Sequence, residues 1–92
     1  MSGQFLNQKT PNEIAKSLAE KIKVRRKKLK ISQEVLAQKS GVSLGSIKRF
    51  EIKYEISLQS FIKIAIALDM DGDLENLFTQ KTYTSIDEVI KG

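Results

Sequence analysis

Apolar positions along the chain recur at helical spacings and nowhere alternate with polar ones over several residues, so the pattern predicts a succession of short helices. The first should open at Thr10-Pro11-Asn12-Glu13: Thr10 supplies a cap, Pro11 suits the first helical position and Glu13 completes a capping box. It is expected to run from Pro11 to about Lys28. Ile14, Leu18, Ile22 and Leu29 fall four or seven residues apart and, with Ala15 and Ala19 three residues before Leu18 and Ile22, form its apolar face. Ser32 caps a second helix that should stop at Gly41, a residue free to take the positive φ of a helix C-terminus. Ser43, two residues on, caps a third helix to about Ile52, and Ser57 a fourth through Leu68. Asp71-Gly72-Asp73 marks a turn before a short helix over Leu74 to Phe78. The single proline sits at the first helix start, so the fold class is all-α. The expected organisation is an arm over residues 1–10, one five-helix domain over 11–78 and a tail over 79–92. In that tail Ser85-Ile86-Asp87-Glu88 offers a cap for one last helical turn through Lys91.

Two features of this pattern bear on function. The stretch SQEVLAQKSGVSLGSIKRFE, Ser32 to Glu51, packs two helices around a tight turn, with Leu36, Ala37, Val42, Ile47 and Phe50 inward. Ala37 is small where the helices cross, and the outward side of the second helix of the pair shows Ser43, Leu44, Gly45, Ser46, Lys48 and Arg49. The fourth helix, in contrast, is apolar on two sides. Leu58, Phe61, Ala65 and Leu68 are expected in the core, while Ile62, Ile66 and Met70 make a second stripe that calls for cover, either the chain's own tail or a second subunit.

Composition narrows the functional classes. A chain of 92 residues has room for one domain with a small core. Without cysteine or histidine it has no disulfide, no thiolate nucleophile, no zinc-thiolate site and no imidazole base. No catalytic or metal-binding residues are assigned, and an enzyme is a distant reading. Met1 to Asn12 lacks the pattern of a secretory signal and no apolar run approaches the ~20 residues that span a bilayer, so a cytoplasmic location is expected.

Charge adds a direction. The net +5 is unevenly spread: residues 1–31 carry +7, residues 32–56 carry +1 and residues 57–92 carry −3. Seven of the ten residues from Lys21 to Lys30 are basic, which favours a polyanion, nucleic acid or an anionic membrane, over a neutral partner. The membrane is the weaker of the two, because the apolar face of the basic helix lacks the Trp and Phe of interfacial helices.

The Ser-Gln helix start at Ser32-Gln33, together with Leu36-Ala37, Gly41-Val42, Ser46-Ile47, Phe50-Glu51 and Ile64-Ala65 to Leu68, resembles the Cro/cI-type (Xre) helix-turn-helix family over roughly residues 14–70. The resemblance implies a lambda-repressor-like five-helix bundle that seats its second motif helix, Ser43-Ile52, in the major groove of double-stranded DNA. It implies that Ser43, Leu44, Gly45, Lys48 and Arg49 lie along the base-reading edge. Gln33, Arg25, Ser46 and Lys53 are then phosphate contacts, with Lys23, Lys27 and Lys28 as further candidates. It also implies a structural ion pair between Arg26 and Glu51. The chemistry of these residue types fits: Arg49 can pair bidentately with guanine O6 and N7, Lys48 can reach guanine or a phosphate, and Leu44 can pack on a thymine methyl or on the core. Gly45 offers no side chain where family members often place a polar one. The chain also departs from the family at Ile52-Lys53-Tyr54-Glu55, where relatives commonly turn through glycine.

The function implied is transcriptional regulation without a cofactor, as a repressor that occupies an operator. The alternative is the antitoxin of a toxin-antitoxin pair, resembling Hip-type antitoxins, which represses its own operon and binds a toxin protein, with Ile86, Val89 and Ile90 of the tail as the segment that holds it. A homodimer through Ile62, Ile66, Met70 and the tail is expected to set its recognition helices ~34 Å apart over a palindromic operator.

Overall fold

Among the described residues, hydroxyl caps set four of the five helix starts. The computed structural model describes residues 9–79. In it Thr10 Oγ accepts from the Glu13 backbone N–H at 3.1 Å and Glu13 Oε1 from the Thr10 N–H at 2.7 Å, and this capping box opens α1 (Pro11–Lys28). The bond from the Thr10 N–H holds the Glu13 carboxyl below its ordinary range. Ser32, Ser43 and Ser57 each accept from the backbone N–H three residues on, at 3.1 Å, and open α2 (Gln33–Ser40), α3 (Leu44–Lys53) and α4 (Leu58–Ala67). The last of the described helices, α5 (Asp71–Glu75), has no side-chain cap. It begins and ends about one turn earlier than Leu74 to Phe78. Asp71 and Asp73 lie in its first turn, where a carboxylate faces the positive end of the helix, and the same residues that signal a turn therefore start a helix.

The core is drawn from four helices and one connection: Ala19 and Ile22 of α1, Leu36 of α2, Val42, Ile47 and Phe50 around α3, and Ile64, Ala65 and Leu68 from α4 onward. Phe50 and Phe61 meet edge to face, ring centroids 5.8 Å apart, a geometry worth ~0.5–1.5 kcal/mol beyond area burial. The α1 stripe reaches the core over only part of its length. Ala19 and Ile22 are buried, whereas Ile14, Leu18 and Leu29 keep 49%, 42% and 42% of their surface. Ile14 lies in the first turn of α1 and Leu29 just past its last residue, whereas Leu18, in the middle of the helix, lines an open cleft with Phe61 of α4 and Leu74 of α5.

The fourth helix also differs in detail from the pattern. Leu58 stays 73% exposed in the first turn, and Ile64, not assigned to the core from sequence, is fully buried. Of the second stripe, Ile62 and Ile66 face outward, but Met70 lies past the helix end and is half-buried against the core. Arg25 of α1 donates from Nε to the Leu68 carbonyl at 3.0 Å, satisfying an acceptor at the C-terminal end of α4. The expected helical turn over Ser85 to Lys91, Ile86, Val89 and Ile90 included, and residues 1–8 of the arm lie outside the described residues.

Candidate nucleic-acid interface

The α2–α3 turn is closed by chemistry local to it. Gly41 takes φ +76° and donates its N–H to the Ala37 carbonyl at 2.9 Å, and Ser40 Oγ accepts from the Val42 N–H. A Cβ on Gly41 would meet nothing within 4 Å, so glycine is required there for its backbone angle and not for space. Val42 then sinks into the core and Ser43 caps α3.

With Ile47 and Phe50 buried and Glu51 turned toward α1 and α2, the remaining side of α3 faces outward. Leu44 and Ser46 are half-buried, Gly45, Lys48 and Arg49 exposed. Ser43 Oγ, besides accepting from the Ser46 N–H, donates to Ser46 Oγ at 2.8 Å, so both hydroxyls are engaged in holding the first turn. Gly45 stands in open space, and a side chain there would touch nothing within 4 Å. Gly45→Ala is therefore expected to stabilise the fold by ~0.5–1 kcal/mol through the lower helix-forming cost of alanine. A urea midpoint at or below that of the parent chain would contradict this.

One network fixes α3 to the two helices before it. Arg26 Nε donates to Glu51 Oε2 at 2.9 Å and Nη2 to Glu51 Oε1 at 3.1 Å, while Nη1 reaches the Ile31 carbonyl at 2.9 Å. Gln33 Nε2 adds a bond to Glu51 Oε1 at 3.0 Å. The Arg26 and Glu51 side chains are 9% and 4% exposed, so α1, α2 and α3 meet at a desolvated, fully bonded ion pair. One hydrogen of the Gln33 amide is thereby committed, and the other remains at the first position of α2.

The remaining sequence-predicted residues separate into two places. Ser46 and Arg49 share a shallow cavity with Glu55, Ile56, Ser57 and Ser60, which brings the N-terminal end of α4 beside α3. Lys48 and Lys53 are exposed on α3 itself. Arg25, bonded to Leu68, belongs to the other end of α4, roughly 15 Å away along a ten-residue helix. Lys23, Lys27 and Lys28 lie exposed on α1, the last two in its final turn, where cations complement the helix dipole.

The turn that departs from the glycine pattern runs through Tyr54. It takes φ 63° and ψ 29°, donates its N–H to the Phe50 carbonyl at 2.9 Å and packs its half-buried ring against the core. The left-handed backbone costs ~1–2 kcal/mol for a residue with a Cβ, and the buried ring offsets it. This turn places Glu55, which sequence reasoning did not single out, over Arg49: Glu55 Oε1 accepts from Arg49 Nε at 3.0 Å and from Nη2 at 2.6 Å. Their spacing of six residues crosses a helix end, so no helical pairing rule points to it.

Among the described residues, no group of three or more Asp or Glu is arranged to hold a metal ion, and no helix is long and apolar enough to cross a membrane. Comparison with curated proteins and with solved structures gave no match. A family model described as helix-turn-helix, of the Cro/C1 type, matches residues 22–74, which contain α2, the Gly41 turn and α3 and make up more than half of the chain. The chain belongs to this Cro/C1-type, Xre-like helix-turn-helix family of DNA-binding regulators.

Proposed function

We propose that the protein is a small cytoplasmic repressor that occupies a specific double-stranded DNA operator, with α3 in the major groove. The observation that carries this reading is the contrast between the two sides of α3: Ile47 and Phe50 lock it to the core, the Arg26–Glu51–Gln33 network fixes its far end, and Lys48 and Arg49 project from the free side. A rigid helix with projecting donors suits base recognition, since a side chain must meet a base edge within hydrogen-bond distance. In this reading Arg49 and Lys48 make the polar base contacts. Leu44 supplies an apolar contact beside Ser43, and the bare Gly45 backbone leaves room for close approach. Gln33, Ser46 and Lys53 are the phosphate contacts of the motif and Lys28 a further one at the end of α1, while Arg25 commits its Nε to the Leu68 carbonyl.

Ile62 and Ile66, 38% and 58% exposed on α4, provide the apolar surface for a two-fold dimer, whose operator would be palindromic with half-sites ~34 Å apart. No feature of the described residues favours the antitoxin reading over the repressor. Selection of bound duplexes from a random pool, followed by footprinting, tests the proposal. A preferred sequence with protection in the major groove is the expected result, and the absence of enrichment would overturn it.

A further inference from the structure

We infer that Glu55 is a specificity-determining residue that positions Arg49 for guanine and keeps it from acting as a general phosphate contact. The inference rests on the proposed role of Arg49 as a base reader and turns on which edge of the guanidinium is occupied.

An arginine side chain has five N–H groups on a rigid plane: one on Nε and two on each terminal nitrogen. Glu55 Oε1 takes the Nε hydrogen and one Nη2 hydrogen, both on the side edge. The end edge, one hydrogen from Nη1 and one from Nη2 running parallel, is left open. That edge matches the O6 and N7 acceptors of guanine. A carboxylate on the side edge therefore does not compete with bidentate base reading. It restricts rotation of a long side chain that is otherwise 60% exposed, so less conformational freedom is lost when the base is met.

The same carboxylate acts on the wrong contacts. A phosphate can approach Arg49 from any side, but the side edge is filled by an anion, and Glu55 itself is 61% exposed beside α3. Any arrangement that brings a phosphate to that edge sets two anions against each other. Specificity is a difference of affinities, and this acidic residue acts on both members of it. The Tyr54 turn is what allows the arrangement, because Glu55 follows the left-handed residue directly and folds back along α3.

The test measures binding of the full chain to the duplex recovered by selection and to a random duplex of equal length, at one salt concentration. Glu55→Ala is expected to weaken the first and tighten the second, lowering the preference about tenfold, the loss of one oriented polar contact of ~1.4 kcal/mol. Glu55→Gln, which keeps an acceptor oxygen without the charge, should fall between. In an Arg49→Ala background Glu55→Ala should no longer lower the preference. An unchanged preference in Glu55→Ala overturns the inference, as does an equal drop with and without Arg49. The two readings fail differently. If selection yields no preferred sequence, or Arg49→Ala weakens both duplexes alike, the base-reading proposal fails and Glu55 with it. If Arg49 alone carries the preference, only the role of Glu55 fails.

Discussion

Replacing Glu51 by alanine is expected to lower folding stability by ~3–5 kcal/mol, a large share of the ~5–15 kcal/mol that holds a small domain together. The carboxylate accepts two bonds from Arg26 and one from Gln33, at a point where neither charged side chain retains a tenth of its surface. Its removal leaves a guanidinium in a desolvated site with only the Ile31 carbonyl as partner, and leaves the Gln33 amide without its acceptor. The loss measures the stranded charge and not the value of the pair, and a second variant separates the two. Arg26→Met combined with Glu51→Leu, which removes both charges and keeps the volume, is expected to recover most of the stability. Urea unfolding followed by circular dichroism gives both numbers. A Glu51→Ala loss below ~1 kcal/mol would mean that water reaches Arg26 readily and that the network is dispensable.

Such a network is also where sequence reading meets its limit. The helix starts were legible because caps are local: Thr10 with Glu13, and Ser32, Ser43 and Ser57 with the N–H three residues on, need no knowledge of the rest of the chain. The Gly41 turn was legible for the same reason. What depends on distant packing was not. Arg26 and Glu51 stand 25 residues apart, and no spacing rule joins them; the pairing comes into view in sequence only through likeness to a family. Ile14, Leu18 and Leu29 continue the apolar period of α1 faithfully, yet keep over two-fifths of their surface, because Ile14 and Leu29 lie at the helix ends and Leu18 faces a cleft that Phe61 and Leu74 leave open. Leu58 has a core-facing period but sits in the first turn of α4, at the edge of the packed region.

At the recognition surface the residue types were legible and their partners were not. Arg49 was visible as an exposed cation on α3. Glu55 was not, because its approach depends on Tyr54 adopting a left-handed angle that a tyrosine seldom takes. Arg25 shows the same limit from the other side: within a basic run it is indistinguishable from its neighbours, and only the position of the Leu68 carbonyl sets it apart.

Arg49→Ala is expected to remove ~1–3 kcal/mol of discrimination at one base position, weakening the selected operator by roughly 5- to 150-fold while changing affinity for a random duplex far less. The asymmetry follows from geometry. A guanidinium end edge meets both acceptors of guanine at once, and no other base offers that pair in the major groove, so its loss is felt only where guanine is present. Lys28→Ala provides the contrast, since an exposed ammonium at the end of α1 attracts phosphate without regard to sequence and its removal should weaken both duplexes alike. Salt separates the two variants again. Lys28→Ala should reduce the slope of log affinity against log salt by about one if it neutralises a phosphate, and Arg49→Ala should leave the slope on random DNA nearly unchanged. Equal losses on operator and random DNA for Arg49→Ala would place that side chain on the phosphate backbone, and base reading would then have to come from Lys48 and Leu44.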